Sequence, residues 1–417
     1  MNYNNLTTPG VTIREEATLP PSVVQVSTAI PAFIGYTEKG PQNQPTAIAS
    51  MKAFEDTFGG PYSNICEIDS NRVVTTPKDN PSIGTFILHE SLQLYFANGG
   101  GPCYIVSVGS YSNSGVNEAD FRDVSGTQVK GLDTLLQVDE PTLIVLPDAI
   151  NLPEKKDTAS YTNVFKLDLT LCGKMQDRMV LIDTPKGLDS PPKSTTWTSY
   201  RGSLSNANLS YGAAYYPLLE TSLAFQFDEA SIVNIQSANK TLAQLKSAGD
   251  ALYNEAIHLL REHQKVILPP SGALNVDPTS GKSINAIRTF SGRGVVVWGA
   301  RTLAGNDNNW RYIPVRRLFM TVEESVKKML NTFVFDKNDT RTWVKVSASI
   351  NAYLTSLWQQ GALLGVTPEE AFFVNVGLGK TMTTQDVLEG RLNIEIGLAA
   401  TRPAEFIIVK FSHHLTA

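Results

Sequence analysis

"EEAFFVNVGLGKTMTTQDVLEG", Glu369 to Gly390, runs from a strand-like apolar stretch through a Gly-Leu-Gly-Lys-Thr turn into a helix-like segment. Nucleotide-binding proteins present a phosphate loop in this order, so the turn decides between a nucleotide-dependent enzyme and a different kind of domain. A phosphate cradle needs a glycine five residues ahead of the Gly-Lys-Ser/Thr, so that successive backbone N–H groups curl around the anion. That place is held by Val374, inside the apolar run, and Gly377 stands too close. Two apolar runs ending in Asp, within Thr142–Ala149 and Met179–Thr184, both precede the turn, and ordinary buried strands often end this way. Gly379, Lys380 and Thr381 are therefore read as a plain turn, with a nucleotide-binding enzyme built on them as the alternative.

The surroundings of the turn read as a small α+β domain. Upstream, Thr321 and Glu324 have capping-box spacing before an amphipathic helix with Val322, Val326, Met329, Leu330 and Phe333 on one face. Glu323–Lys327 and Glu324–Lys328 are i,i+4 pairs on the other face. A second helix repeats apolar residues at Trp343, Val346, Ile350, Tyr353, Leu354 and Leu357, and a short one opens with Thr367 as cap, Pro368 at its first position and Glu370 closing a box. Downstream, Leu392, Ile394, Ile396 and Leu398 alternate as a strand, and "AEFIIVKFS" closes the chain as another. Two helices on a small sheet give an α+β domain over 283–417.

Residues 29–282 read as an α/β domain. "TAIPAFIGYTEKGP" is a strand running into a turn, and "SMKAFEDTFGG" is a helix capped by Ser50 and stopped by glycines. "TFILHESLQLYFANGGGPCYIVSVG" is helix, glycine stop and strand, the wrong order for an anion site at Gly99–Gly101. "PTLIVLPDA", a helix near Tyr161 to Gln176 and "RMVLIDTP" form a β-α-β alternation. Residues 62–82 are loop or a small hairpin, and Leu242 to Gln264 hold one or two helices. Residues 1–28, rich in Asn, Thr and Pro, form an extended arm in which Val11 and Ile13 keep a strand period without a nearby hairpin partner.

The 417 residues are too many for one core, so two or three domains are expected. A net charge of −5 argues against bulk nucleic-acid binding. A charged fraction of 18% is thin, as on surfaces covered by other subunits. Cys66, Cys103 and Cys172 read as reduced core thiols of a chain made in the cytoplasm, without a signal peptide or a membrane helix. Catalytic material is sparse. The five histidines are scattered, and His258 and His263 do not share a helix face as a zinc pair would. No enzyme activity, cofactor or metal is expected. The arginine-rich stretch Ile287–Arg317 carries Arg293, Arg301, Trp310, Arg316 and Arg317; basic and aromatic residues interleaved this way suit a subunit interface better than nucleic acid in an acidic chain.

At this stretch the chain resembles a known family. "RTFSGRGVVVWGARTLAG…WRYIPVRRLF", "VEES", "VFDKND…TW", "LTSLWQQGALLGVTPEEAFFV" and "TTQDVLEGRLNIEIGLAATRPAEFIIVKF" resemble, in order and spacing, the C-terminal domain of contractile tail sheath proteins. "TPGVTIREE", "IPAFIGYTEKGP", "FEDTFGG" and "SLQLYFANGGGPCYIVSV" agree in the N-terminal half. One departure is "NVGLGKT", where a polar or cysteine-containing turn is usual.

The resemblance implies a subunit that stacks as hexameric rings around an inner tube, contracts to drive the tube through a target envelope, and meets baseplate and terminal cap proteins. It implies strand exchange between subunits, which points to Val11 and Ile13 at one end and to Phe406, Ile407, Ile408, Val409 and Phe411 at the other. It also implies that charged surface of the C-terminal domain faces the tube, which points to Glu323, Glu324, Lys327 and Lys328. A phage tail, a tailocin and an extracellular or membrane-anchored injection system all fit. Neither nucleic acid nor membrane insertion is expected.

Overall fold

The structure, a computed structural model, describes residues 22–75, 86–113, 115–122, 128–152, 159–184, 201–204, 207–216, 219, 221, 223, 226–235, 239–263 and 281–404. Among these the chain forms two compact units, residues 26–321 with 402–404 and residues 22–25 with 322–401.

The larger unit is built on an eight-stranded sheet. Its strands are β1 (Pro31–Thr37), β2 (Thr46–Ile48), β3 (Cys103–Ser110), β4 (Leu143–Val145), β5 (Met179–Asp183), β6 (Gly212–Tyr216), β7 (Asn285–Phe290) and β8 (Gly294–Trp298). They lie in the order β8-β7-β6-β5-β4-β1-β3-β2. The interior pairs are parallel, and the two edge strands are antiparallel to their neighbours.

Strand β1, at the heart of the sheet, is buried along its whole length, as a strand covered on both faces must be. Alternate residues serve opposite layers. Phe33 packs with Phe54 and Phe58 of helix α1 (Met51–Phe58) and with Leu88 and Leu92 of helix α2 (Leu88–Ala97). Ala32, Ile34 and Tyr36 join the other layer, with Val164, Phe165 and Leu169 of helix α3 (Ala159–Met175). Phe54 and Phe58 are almost wholly buried, each contributing roughly 1.5–3 kcal/mol.

The expected β-α-β alternation is β4-α3-β5, with the two strands parallel. Ser50 caps α1 as expected, its Oγ accepting from the Ala53 N–H at 3.2 Å. All three cysteines are free and buried. Residues 67–68 and 74–75 make the anticipated small hairpin, and helices Leu242–Ser247 and Ala251–His263 occupy the segment read as one or two helices. These helices and the hairpin share a satellite core around Ile68, Val233, Leu245 and Leu260.

A fully buried carboxylate ties β1 to α2. Asp148 Oδ2 accepts from Tyr36 N–H at 2.7 Å, while Oδ1 accepts from Ile87 and Leu88 N–H at 2.6 and 3.1 Å. The backbone at Gly35 passes so close that a Cβ there would lie 2.4 Å from Asp148 Oδ2. Burial holds the Asp148 carboxyl at about 6, above the usual carboxylate range. Glu90, one turn into α2, is also buried, and neither of its oxygens has a partner.

Two boundaries differ from those read in the sequence. The division expected near residue 283 falls ahead of β7, which pairs with β6 and completes the large sheet; the compact units divide at Thr321/Val322. That point lies inside helix α4 (Ile313–Leu330), which starts eight residues before the expected cap at Thr321. Pro314 sits in the first turn, where its missing N–H costs no hydrogen bond. Thr321 is mid-helix, its Oγ1 donating back to the Arg317 carbonyl at 2.9 Å.

The smaller unit holds the rest of α4, helix α5 (Thr340–Gln359), strands β9 (Phe372–Val376) and β10 (Ile394–Leu398), and the short helix α6 (Thr384–Leu388). It is the expected pair of helices on a small sheet. Val322, Val326 and Met329 are buried along α4, Phe333 in the 3-10 turn that follows it (Asn331–Phe333), and Val346, Ile350, Tyr353, Leu354 and Leu357 along α5. Asp339, not anticipated, caps α5 by accepting from Arg341 and Thr342 N–H. Thr367 has the extended backbone of a cap and Pro368 follows it, but no side-chain bond forms; Glu370 accepts from Val366 N–H instead of completing a box.

Candidate assembly surfaces

The glycine-lysine turn lies between the arms of an antiparallel pair, with Phe372 opposite Leu398 and Val376 opposite Ile394. Its amides are spent inside the turn. Lys380, Thr381 and Met382 N–H all donate to the Gly377 carbonyl at 3.0–3.2 Å, and Gly379 N–H donates to Met382 O at 2.9 Å. Thr381 Oγ1 accepts from Gly377 N–H and donates to Asn393 O at 2.6 Å. An anion would find no convergent N–H groups here. The helix that follows is closed too, since Thr383 and Asp386 form a reciprocal capping box. Bonds from the Thr383 hydroxyl and N–H, with Arg391 beside them, hold Asp386 at about 2.

The β9–β10 sheet has two strands among the described residues, and one face packs on α5. Two strands alone are marginal in water. Ile394, Ile396 and Leu398 are only half-buried, and Phe373 is about half exposed. The Phe373 ring lies across the strand pair over Gly397, where a Cβ would meet it at 2.1 Å. Ala399–Thr401 then bond to Ala362, Leu364 and Ala371, so the chain leaving β10 is fastened to this unit. Val11, Ile13, Phe406, Ile407, Ile408, Val409 and Phe411 lie outside the described residues.

On α4 the four charged candidates separate. Glu323, Lys327 and Lys328 are exposed. Glu324 is buried, contrary to expectation, and its carboxylate lies beneath the two exposed lysines, 3.1 Å from Lys327 and 3.8 Å from Lys328. The remaining exposed charge is a short stripe of two lysines and one glutamate.

The arginine-rich stretch also divides. Arg301 and Arg316 are buried within the fold, which corrects their reading as interface residues. The Arg316 guanidinium is sandwiched between Tyr211 at 3.9 Å and Trp310 at 4.5 Å, and Arg301 donates to the Gly305 carbonyl and lies over Tyr312. Trp310 is half-buried, edge-on to Phe319 at 5.0 Å. Arg317 is half-buried near Tyr215, and burial pulls its guanidinium below its usual range. Only Arg293 of the five is exposed, in the turn between β7 and β8.

The surface that sequence reasoning missed is β8 itself. Among the described residues it is an edge strand, and Val295, Val297 and Trp298 are 53%, 57% and 46% exposed. An apolar run on an unprotected edge invites pairing with another chain. Its "VVVW" pattern reads as a buried strand, so only the sheet order reveals it.

Among the described residues no cluster of His, Cys, Asp or Glu is placed to hold a metal, and no helix is long and apolar enough to cross a membrane.

Residues 305–413 match the phage tail sheath C-terminal domain. No curated protein matches the chain. Solved structures are similar over nearly the full length. The sheath complex of an extracellular contractile injection system, PVC, in its contracted state is 27% identical, with 97% of each chain covered and a TM-score of 0.60. The contracted helical sheath of the anti-feeding prophage, AFP, is 29% identical over 97% of this chain and 99% of that one, with a TM-score of 0.60. A chain of the contracted AFP baseplate structure is 30% identical over 98% and 99%, with a TM-score of 0.58. With a closed turn in place of a phosphate cradle and both units covered by these relatives, the chain belongs to the contractile tail sheath family.

Proposed function

We propose that this chain is the sheath subunit of a contractile injection particle of the PVC and AFP kind, stacking as hexameric rings around an inner tube. Contraction of that sheath drives the tube through a target envelope, using energy held in the extended lattice and no nucleotide. The observation that carries the reading is the two-stranded β9–β10 sheet, half-buried and open at its edges among the described residues. Strands added from neighbouring copies would complete it through main-chain hydrogen bonds. Such bonds persist while side-chain surfaces slide past one another, which suits a lattice that changes shape. Val11 and Ile13 of the arm and Phe406–Val409 with Phe411 of the closing segment are the strands proposed to be exchanged. Glu323, Lys327 and Lys328 are proposed to face the tube. Arg293, with β8 beside it, is proposed to meet another subunit. Baseplate and terminal cap proteins complete the partners, and the particle is assembled in the cytoplasm and released.

Deleting residues 1–16 tests the mechanism. The truncated chain is expected to stay folded and soluble but to form no contraction-competent sheath. Full-length sheaths that still contract without these residues would rule strand exchange out.

A further inference from the structure

The connection between α4 and α5 carries side chains that the subunit itself does not use. Val334 is more than half exposed, and Phe335 is fully exposed at φ 75°, a left-handed backbone that bulky residues rarely take. The loop is not slack. Asp336 N–H donates to Phe333 O at 3.0 Å; Asn338 accepts from Trp343 Nε1 at 2.7 Å and donates to the Arg391 carbonyl at 3.0 Å. A phenyl ring is thus held out in water, forgoing the stabilisation that burial would give it.

A receptor of matching chemistry lies in the same unit. Ala348, Ala352 and Ser356 follow one another at single-turn spacing along α5 and edge a groove of about 580 Å³, with Ser349 and Tyr353 buried beneath and Val23 beside them. Small side chains leave space there for an aromatic ring. Phe335 of the same copy does not enter the groove, since its ring is wholly exposed. The charges agree as well. Asp336 is exposed next to Phe335, and Lys345 is exposed on α5 one turn ahead of Ala348 and Ser349, which line the groove.

We propose that Phe335 of one copy seats in the α5 groove of a second copy, with Asp336 against Lys345. Each copy then offers one knob and one hole, and repetition of such a head-to-tail contact gives a ring where the rotation closes and an open polymer where it does not. One ring and one valine bury on the order of 200–300 Å². A stable complex needs about 800 Å² per partner. The contact therefore does not pair free subunits, and it acts where other contacts already hold copies side by side. It rests on the sheath reading above and adds a side-chain lock to it.

The test introduces Phe335→Cys and Ala352→Cys together into the full chain and recovers polymers from cells producing the whole particle. Mild oxidation and non-reducing electrophoresis are expected to give a ladder of disulfide-linked chains for the double variant and none for either single variant. The native cysteines, all buried, do not compete. Polymers that form without a ladder, or that link Cys at 335 to another protein, overturn the contact and leave the sheath reading intact. Failure of the wild-type chain to enter any polymer overturns both. Where the cysteine pair blocks assembly, the charges decide. Asp336→Lys and Lys345→Asp alone are each expected to lower sheath yield about tenfold or more, and the two together to restore it. A double variant as poor as the singles overturns the pairing.

Discussion

Replacing Glu90 with glutamine should make the subunit more stable at alkaline pH and leave it nearly unchanged in acid. The Glu90 carboxyl is buried without a hydrogen-bond partner, and desolvation pushes it from 4.5 up to about 7, with the charge of Asp148 adding to the shift. A glutamate that binds its proton more tightly when folded favours the fold while it is protonated. That contribution is complete below about pH 4.5, the value of the unfolded chain, and is lost as the pH climbs through about 7. The displacement corresponds to about 3 kcal/mol. Glutamine cannot ionise, so the variant escapes the loss, although its unpartnered amide returns part of the gain. Urea unfolding of the isolated full-length subunit should show Glu90→Gln within about 1 kcal/mol of wild type at pH 5 and roughly 2 kcal/mol more stable at pH 8. Asp183, held at about 6 by burial, adds a slope common to both proteins that cancels in the comparison. Asp148, also at about 6, is coupled to Glu90 and is relieved of that glutamate's charge in the variant, which adds to the gain at pH 8. A variant that loses as much stability as wild type between these pH values, or is the weaker of the two at pH 8, refutes the reasoning.

Arg316→Ala removes a buried guanidinium stacked between two rings, and should lower the stability of the isolated subunit by about 2–4 kcal/mol. An assembly defect at unchanged stability would return Arg316 to the interface. Charge reversal of Lys327 and Lys328 should weaken sheath loading on purified tubes, more so at low salt, and equal loading at every ionic strength would count against a tube contact there. Lys380→Ala should leave assembly intact, and Mg-ATP should not raise the melting temperature of the wild type; a rise of several degrees that the variant lacks would reopen the nucleotide reading.

Local grammar was legible where one segment determined its own form. The Ser50 cap, the β4-α3-β5 alternation and the apolar stripe of α5 all depend on neighbours a few residues apart. Long-range partners escaped. The sequence suggests a domain boundary ahead of β7 because nothing in β7 announces that its neighbour is β6, about seventy residues earlier. The start of α4 is disguised because the Thr321–Glu324 spacing is that of a capping box, whereas the helix is already running and Thr321 bonds back to Arg317. Arg316 looks like an interface residue in the sequence because the ring beneath it, Tyr211, comes from a distant segment. The exposed knob at Phe335 depends on a backbone angle, and an alternation pattern does not encode that.

The separation between paired segments also orders events during synthesis. Ile30 bonds to Thr142 across 112 residues, Cys66 to Ser231 across 165, and Arg72 to Glu255 across 183. The large sheet is complete only once β8 at Gly294–Trp298 has emerged. At roughly 5–20 residues per second, ribosomes need some tens of seconds to reach it. Most of the smaller unit, with the open β9–β10 edges, is made after that point. The eight-stranded sheet can therefore close before most of the smaller unit exists, so the two units need not compete for partners while they fold.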